Sequence, residues 1–288
     1  AATTTAATVV DISPSLGLQL TDKGSFGFGF DIQRMDAEFD EVGGVGLPTT
    51  NAECINKLSD TGYGGHFGVL YQFNPDSRVG LSYHTQVVHH LNGPSTFIGP
   101  IATAFGGGPY SGHAYTNLTL PAYTALSGYH RILPKVAIMG SVIYTQWNVF
   151  RVTSLRGVAG IDNLDASTNI TVNVPEYYNN TWNVSVGADY EATEKITLRC
   201  GVGYDQTPTN DAYRNATLPD NNRYATAIGG HYQSSPTLGF DVGWTHLMLK
   251  TTPINPPPVQ AGDQVTTTVG NVRGGADVIA GQLTWNIE

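Results

Sequence analysis

The chain has 288 residues, a formal net charge of −9, 34 glycines, 15 tyrosines and only 13% charged residues. No apolar run approaches the roughly 18 residues that suggest a membrane helix, and the acidic balance lacks the clustered Lys and Arg that neutralise phosphates, which argues against a nucleic-acid partner. What remains is a β-rich protein, soluble or barrel; a mean hydropathy of −0.14 does not separate the two, because barrel strands average lipid-facing with lumen-facing residues.

The start, Ala1-Ala2-Thr3-Thr4-Thr5, has no basic-then-apolar leader. In chain order, strands are predicted over 9–20, 25–39, 62–73, 78–91, 117–129, 136–150, 176–190, 196–205, 222–233, 237–250 and 273–287. Every second connection is tight: Asp22-Lys23-Gly24, Asn74-Pro75-Asp76-Ser77, Arg131 to Lys135, Glu191 to Lys195 and Ser234-Ser235-Pro236. The connections between them, at 40–61, 92–116, 151–175, 206–221 and 251–272, are long and polar. A soluble sandwich has no reason for that rhythm, whereas an outer-membrane barrel has short periplasmic turns and long outward loops. The first strand therefore runs from outside to periplasm, and so does the last. That makes an odd count, although bacterial single-chain barrels are even-stranded, so an odd number of strands is expected before Ala1.

Period-two patterning supports the strands. In 78–88, Val79, Leu81, Tyr83, Thr85 and Val87 form a lipid face, against Arg78, Gly80, Ser82, His84 and Gln86 inside. Ile196, Leu198, Cys200, Val202 and Tyr204 alternate with Thr197, Arg199, Gly201, Gly203 and Asp205; Leu238, Phe240, Val242 and Trp244 alternate with Gly239, Asp241, Gly243 and Thr245. Tyr71, Phe73, Tyr129, Tyr190, Tyr232 and Trp285 fall near the periplasmic strand ends, where an aromatic girdle sits.

Other apparent motifs carry little. Cys54 and Cys200 have no metal or redox spacing, and Cys200 faces lipid, so a disulfide between them is not expected. His84, His89 and His90 do not make a metal set, because adjacent strand positions point to opposite faces and no carboxylate or thiolate completes it; no metal and no cofactor is expected. Gly27-Phe28-Gly29 lacks the following helix of a dinucleotide loop, and no Gly-x-Ser-x-Gly or triad order suggests an enzyme. The sequons at Asn117 and Asn215 are unremarkable in Asn/Thr-rich loops, and Pro256-Pro257-Pro258 reads as loop stiffening.

The segment Phe73-Asn74-Pro75-Asp76-Ser77-Arg78-Val79-Gly80-Leu81-Ser82-Tyr83-His84 resembles the periplasmic turn and ascending strand of the outer-membrane long-chain fatty-acid transporters, the FadL/TodX family. Further matches follow in order: Leu120-Pro121, Ser127-Gly128-Tyr129, Tyr144-Thr145-Gln146-Trp147, Leu198 to Pro208, Leu218-Pro219-Asp220, Asn222-Arg223-Tyr224 and Asp241 to His246. The resemblance implies an all-β, transmembrane antiparallel β-barrel of fourteen strands plugged by an N-terminal hatch, with about eleven strands, the fourth to the fourteenth, present here. On that basis 1–288 is a single partial barrel domain without the hatch. The ending Gln282 to Glu288 departs from the usual terminal aromatic, although Trp285 and Ile287 keep the outward alternation.

The resemblance also implies passive transport of long-chain fatty acids or similar hydrophobic compounds in the bacterial outer membrane, by a monomer in contact with lipid and lipopolysaccharide, and no enzyme activity. A ligand carboxylate needs a cationic or hydrogen-bonding partner; the polar-face candidates are Arg78, His84, Arg199, Arg223 and His231. The competing reading pairs Arg78, Arg199 and Arg223 with Asp189, Asp205 and Asp241, simply neutralising charges inside the barrel. A surface adhesin or receptor acting through its long loops, and a general porin, are the alternative functions. Fatty acid and aromatic hydrocarbon are both left open as substrates.

Overall fold

The computed structural model describes residues 2–43, 52–106, 110–162, 165–214, 219–255, 259–261, 264–266 and 269–286. Among them no helix is long and apolar enough to cross a membrane. The Asn215 sequon, Pro256-Pro257-Pro258 and Ile287 lie outside the described residues. The chain opens with β1 (Ala2–Ile12), β2 (Ser15–Gln19), β3 (Gly24–Gly43), β4 (Ala52–Asn74), β5 (Ser77–His84) and β6 (Val87–Ile98). A short helix, Pro100–Gly106, leads to β7 (Tyr110–Leu120), β8 (Tyr123–Leu133), β9 (Val136–Thr145), β10 (Val152–Asp162) and β11 (Asp165–Pro175). Then come β12 (Thr181–Glu191), β13 (Ile196–Asp205), β14 (Arg223–Ser235), β15 (Leu238–Leu249), the short β16 (Thr252–Ile254), β17 (Val259–Ala261), β18 (Gln264–Thr266) and β19 (Gly270–Val272), and β20 (Gly275–Trp285).

All five tight turns join antiparallel neighbours as expected: β2–β3, β4–β5, β8–β9, β12–β13 and β14–β15. The main wall runs β1/β2, β3, β4, β5, β8, β9, β12, β13, β14, β15, β20. One rung of opposed residues crosses most of it, through Gly27, Gly68, Ser82, Ala125, Ile143, Asn183, Asp205 and Arg223. Opposed residues share a face, so this rung fixes the inward side across the whole wall. The outward side carries exposed Phe28, Phe67, Val69, Leu81, Leu126, Val184, Val186, Leu198, Val202, Ile228, Val242, Ile279 and Leu283, an apolar surface that suits lipid and not water. Tyr71, Phe73, Tyr190, Tyr232 and Trp285 are exposed at the short-turn end, as a girdle requires. Tyr129 is the exception: it opposes Arg78 on the inner face, where the guanidinium lies 4.4 Å from its ring centre.

Three of the five expected long loops, 40–61, 92–116 and 151–175, prove to be largely strand among the described residues, whereas the described part of 206–221 holds none. The hairpin β3–β4 pairs without a register break from Gly24↔Tyr71 to Gly43↔Ala52, and its 20-residue first strand is about twice what a bilayer needs. The outward face marks where lipid ends: Phe26, Phe28 and Phe30 give way to Arg34, Asp36 and Glu38, with Lys57 Nζ 3.1 Å from Glu38. Above that line β6–β7 and β10–β11 form hairpins that extend the sheet outward.

The two strands predicted at 78–91 and 117–129 are each broken. Pairing on β4 follows His66↔His84 below the break and Ser59↔Asn92 above it, a shift of one residue. Because side chains alternate with period two, that shift exchanges the faces. Even-numbered residues point inward in β5, odd-numbered ones in β6, and Val87, expected on the lipid face, is buried while Gln86 is exposed. The break is held by Thr85, whose N–H donates to Gly65 O and whose Oγ1 accepts from Gly65 N, both at 2.9 Å. A Cβ on Gly62 or Gly64 would meet Val87 at 2.6 and 2.8 Å, so these glycines let the chain step inward.

The outer extension contains the packed core: Met35, Ala37, Leu58, Leu91, Ala114 and Val158, continued by Phe97, Ala102 and Ala159. Buried polar groups there are linked: Ser95 Oγ donates to Asn56 Oδ1 at 2.7 Å and accepts from Ala159 N at 2.9 Å. Cys54 sits in this layer, its thiol donating to Ala159 O at 3.4 Å, and burial pushes that thiol's pKa up. Cys200 is exposed on the outer face of β13, and both thiols are free.

Leu91→Ala is expected to lower unfolding free energy by about 2–5 kcal/mol, against on the order of 0.5 kcal/mol for Val242→Ala on the lipid side. Denaturant titration of the folded, detergent-solubilised protein measures both, and equal losses would show that Leu91 is not in a packed core. Non-reducing and reducing gels of the unfolded chain should show the same mobility, with two thiols alkylated after unfolding; a mobility difference would mean that Cys54 and Cys200 are linked.

Candidate functional site

The inner face of β12 to β15 and β20 is an open trough of about 720 Å³. Glycines 187, 201, 203, 229 and 243 thin its floor, and the charged side chains stand on the intervening positions. Arg199 opposes Asp189 on one side and Gly229 on the other. With no side chain at Gly229, the guanidinium passes over β14, and its Nη1 donates to Asp241 Oδ1 at 2.6 Å while Nε lies 3.7 Å from Asp189. Asp241 is also met by His231 Nδ1 at 3.1 Å, and His231 Nε2 contacts Gln233 Oε1 at 2.9 Å. Nearer the outer rim, Arg223 opposes Asp205 directly, at 2.6 Å, with Asp220 at 3.9 Å.

Asp220 belongs to the stretch between β13 and β14 that the family resemblance singled out. It accepts from Thr207 Oγ1 at 2.6 Å, and its carbonyl accepts from Thr209 Oγ1 at 3.0 Å and from Arg214 Nε at 2.8 Å. Arg214 is fully buried there. Thr207, Thr209, Arg214 and Asp220 are thus tied together by hydrogen bonds at the rim.

The sequence-derived candidates separate into three groups. Arg199 and His231 share Asp241; Arg223 stands apart on Asp205. Arg78 makes no ion pair among the described residues and rests on Tyr129 near the short-turn end. His84 lies six residues further along the same wall, about 20 Å away at strand rise, stacked between His66 and Tyr123 with centroids 5.0 and 4.4 Å apart. The expected internal pairing therefore holds for Arg199 with Asp189 and Asp241 and for Arg223 with Asp205, but not for Arg78.

Beside His84 the structure places residues that alternation alone did not select. His66 Nδ1 is 2.8 Å from Asp31 Oδ1, and Ser15 Oγ is 2.7 Å from His66 Nε2. Ser15, His66, His84 and Tyr123 stand on one rung, through Gly29. One signal was available: His66 and His84 are almost equally spaced about the turn at Pro75-Asp76, which makes them cross-strand partners. Further out, His89 is buried, with Nε2 2.9 Å from Gln33 Oε1.

Comparison with known proteins agrees with this geometry. The family described as outer membrane protein transport protein (OMPP1/FadL/TodX) matches residues 1–286. Outer membrane protein P1 of Haemophilus influenzae is 34% identical over 209 residues, covering 71% of this chain and 42% of that protein. The 47 kDa outer membrane protein of Pasteurella multocida is 31% identical over 208 residues, 68% of this chain and 46% of its own length. The long-chain fatty acid transport protein of Salmonella typhi is 27% identical over 283 residues, 89% of this chain and 63% of that one. A solved Pseudomonas aeruginosa FadL homologue superposes with a TM-score of 0.83 at 25% identity, covering 98% of this chain and 68% of its own. The Pseudomonas putida toluene transporter TodX gives 0.67 at 15% identity, covering 98% and 71%, a likeness of fold alone. The chain spans a little less than half the length of the first two relatives. An apolar outer face, short turns at one end and a polar inner face are what an outer-membrane β-barrel requires, and the chain belongs to the outer membrane protein transport protein (OMPP1/FadL/TodX) family.

Proposed function

We propose that the protein carries long-chain fatty acids or similar hydrophobic small molecules passively across the outer membrane, as a monomer surrounded by lipid and lipopolysaccharide. The observation that carries this reading is the neutralised inner face. Arg199 and Arg223, with His231, are committed to Asp189, Asp205 and Asp241, which suits an apolar cargo better than an ion-selecting pore, where uncompensated rings of one charge set selectivity. The names of the relatives support both fatty acids and aromatic hydrocarbons; the Salmonella typhi fatty acid transport protein aligns over 89% of this chain.

An acyl chain gains about 0.8 kcal/mol for each methylene it buries, so transfer along the conduit needs a series of sites of graded strength and no coupled energy source. The carboxylate needs a partner that is not already engaged. Arg78 fits that role at the periplasmic end, since its guanidinium has an aromatic ring beneath it and, among the described residues, no carboxylate partner; a ligand at Arg199 or Arg223 has to compete with aspartates. His84 is the corresponding hydrogen-bonding group nearer the outside.

Uptake of labelled oleate by cells lacking their own fatty-acid transporter tests the function, with surface insertion confirmed by heat-modifiable mobility. Restored uptake supports the reading. Inserted protein without uptake overturns the fatty-acid assignment, and toluene uptake or loop-mediated binding then becomes the next reading to test. In planar bilayers no large ligand-insensitive conductance is expected; such a current would favour a general porin. Arg78→Ala should weaken oleate binding about tenfold, ~1.4 kcal/mol, in a scintillation or fluorescence assay. Arg199→Ala should instead lower stability, on the order of 1 kcal/mol, with binding little changed; the reverse pattern would move the carboxylate site to Arg199.

A further inference from the structure

Three metal-ligating side chains converge on the inner face of β3, β4 and β5. Asp31, His66 and His84 each place one ligand atom within 4.8 Å of the others. They come from three adjacent strands on one face: His66 opposes His84 directly, and Asp31 opposes Gly64, two residues along from His66. Glycines give the cluster its room. A Cβ on Gly29, which opposes His66, would lie 2.4 Å from His66 Nε2, and one on Gly64 would lie 3.4 Å from Asp31 Oδ2.

The charge arrangement here differs from that of the rest of the barrel. Asp189, Asp205 and Asp241 are each met by an arginine. Asp31 is more deeply buried than any of them, its side chain only 6% exposed, and its ion-pair partner among the described residues is an imidazole. Two imidazoles with a carboxylate are a ligand set for a divalent transition ion. His84 makes no hydrogen bond through its ring nitrogens among the described residues; only its faces are occupied, by His66 and Tyr123. Ser15 Oγ, 2.7 Å from His66 Nε2, supplies a further oxygen at the rim of the cluster.

We infer that Asp31, His66 and His84 form a binding site for one divalent transition-metal ion of the zinc class on the lumen wall. Three protein ligands leave a coordination position for water, for Ser15 Oγ or for an anionic group of a passing ligand. The site is independent of which hydrophobic compound the conduit carries.

The test is calorimetric titration of zinc chloride into the tag-free, detergent-folded protein after chelator treatment, with cobalt absorption as a second readout of imidazole–carboxylate coordination. One zinc per chain is expected, with affinity reduced at least tenfold in His84→Ala and in Asp31→Asn, and unchanged in His246→Ala, which removes an imidazole–carboxylate pair on β15 and β20. Heat-modifiable mobility confirms that each variant is folded. Absence of zinc binding, or equal affinity in wild type and a folded His66→Ala/His84→Ala double variant, overturns the site.

Discussion

The parity of the β-ladder is the constraint on which everything else here depends. A strand that crosses a bilayer satisfies all its backbone groups through its neighbours, and its side chains then alternate strictly between lipid and lumen. A slip of one residue in pairing would place Arg199 and Asp241 in hydrocarbon and Leu198 and Val242 in the lumen. From β8 to β15 the registers stay constant over nearly every pair within each strand couple, with the irregularities at the ends beside the short turns. This continuity is what delivers the aspartates and arginines of four different strands to one trough.

Where parity is broken, the break is built. At Thr85-Gln86 and at Pro121-Ala122 the inward set changes from even to odd and from even to odd again along the two strands of one hairpin. Because β6 and β7 keep the same mutual register as β5 and β8, the whole outer hairpin turns over as a unit relative to β4. The change falls where the outward face of β3 becomes charged, so the flipped residues leave the lipid region. They enter the packed layer around Leu91 and Met35 instead. Pro121, which has no N–H to give to a ladder, stands at the point where continuous pairing ends.

This explains which parts of the molecule were legible in the sequence. The tight turns were, because Asn-Pro-Asp-Ser and similar clusters have a local conformational cause. The faces of β13 and β15 were, because an uninterrupted strand carries its parity from one end to the other. The inward turn of Val87 is not legible, since a one-residue shift leaves no compositional mark, and neither is that of Tyr129, because an aromatic near a strand end has the same signature on either face. The described parts of the stretches read as loops at 40–61, 92–116 and 151–175 pair mainly as hairpins, β3–β4, β6–β7 and β10–β11, and are joined to one another by β4–β6 and β7–β10 contacts across sequence distances that local pattern cannot express. Among the candidate residues, Arg199, Arg223 and His231 followed from alternation. Ser15, Asp31 and His66 did not, because their meaning comes from rung position across three strands.

The two walls of the lumen consequently differ in the kind of polarity they hold. On the β12–β15 side Asp189, Asp205 and Asp241 share two guanidiniums, groups that stay charged at any physiological pH, with His231 as a third partner. On the β3–β5 side the buried carboxylate of Asp31 faces the imidazole of His66 instead of a guanidinium. Burial of an ion without a permanent counter-ion costs several kcal/mol, and a fold that needed only neutrality could have placed an arginine at position 66 as it did at 199. Gly64 clears space beside that carboxylate and Gly29 beside His66 instead of filling it. Arginine-paired carboxylates line one wall, while the row from Ser15 to Tyr123 sets an imidazole–carboxylate pair into the other, where β5 ends.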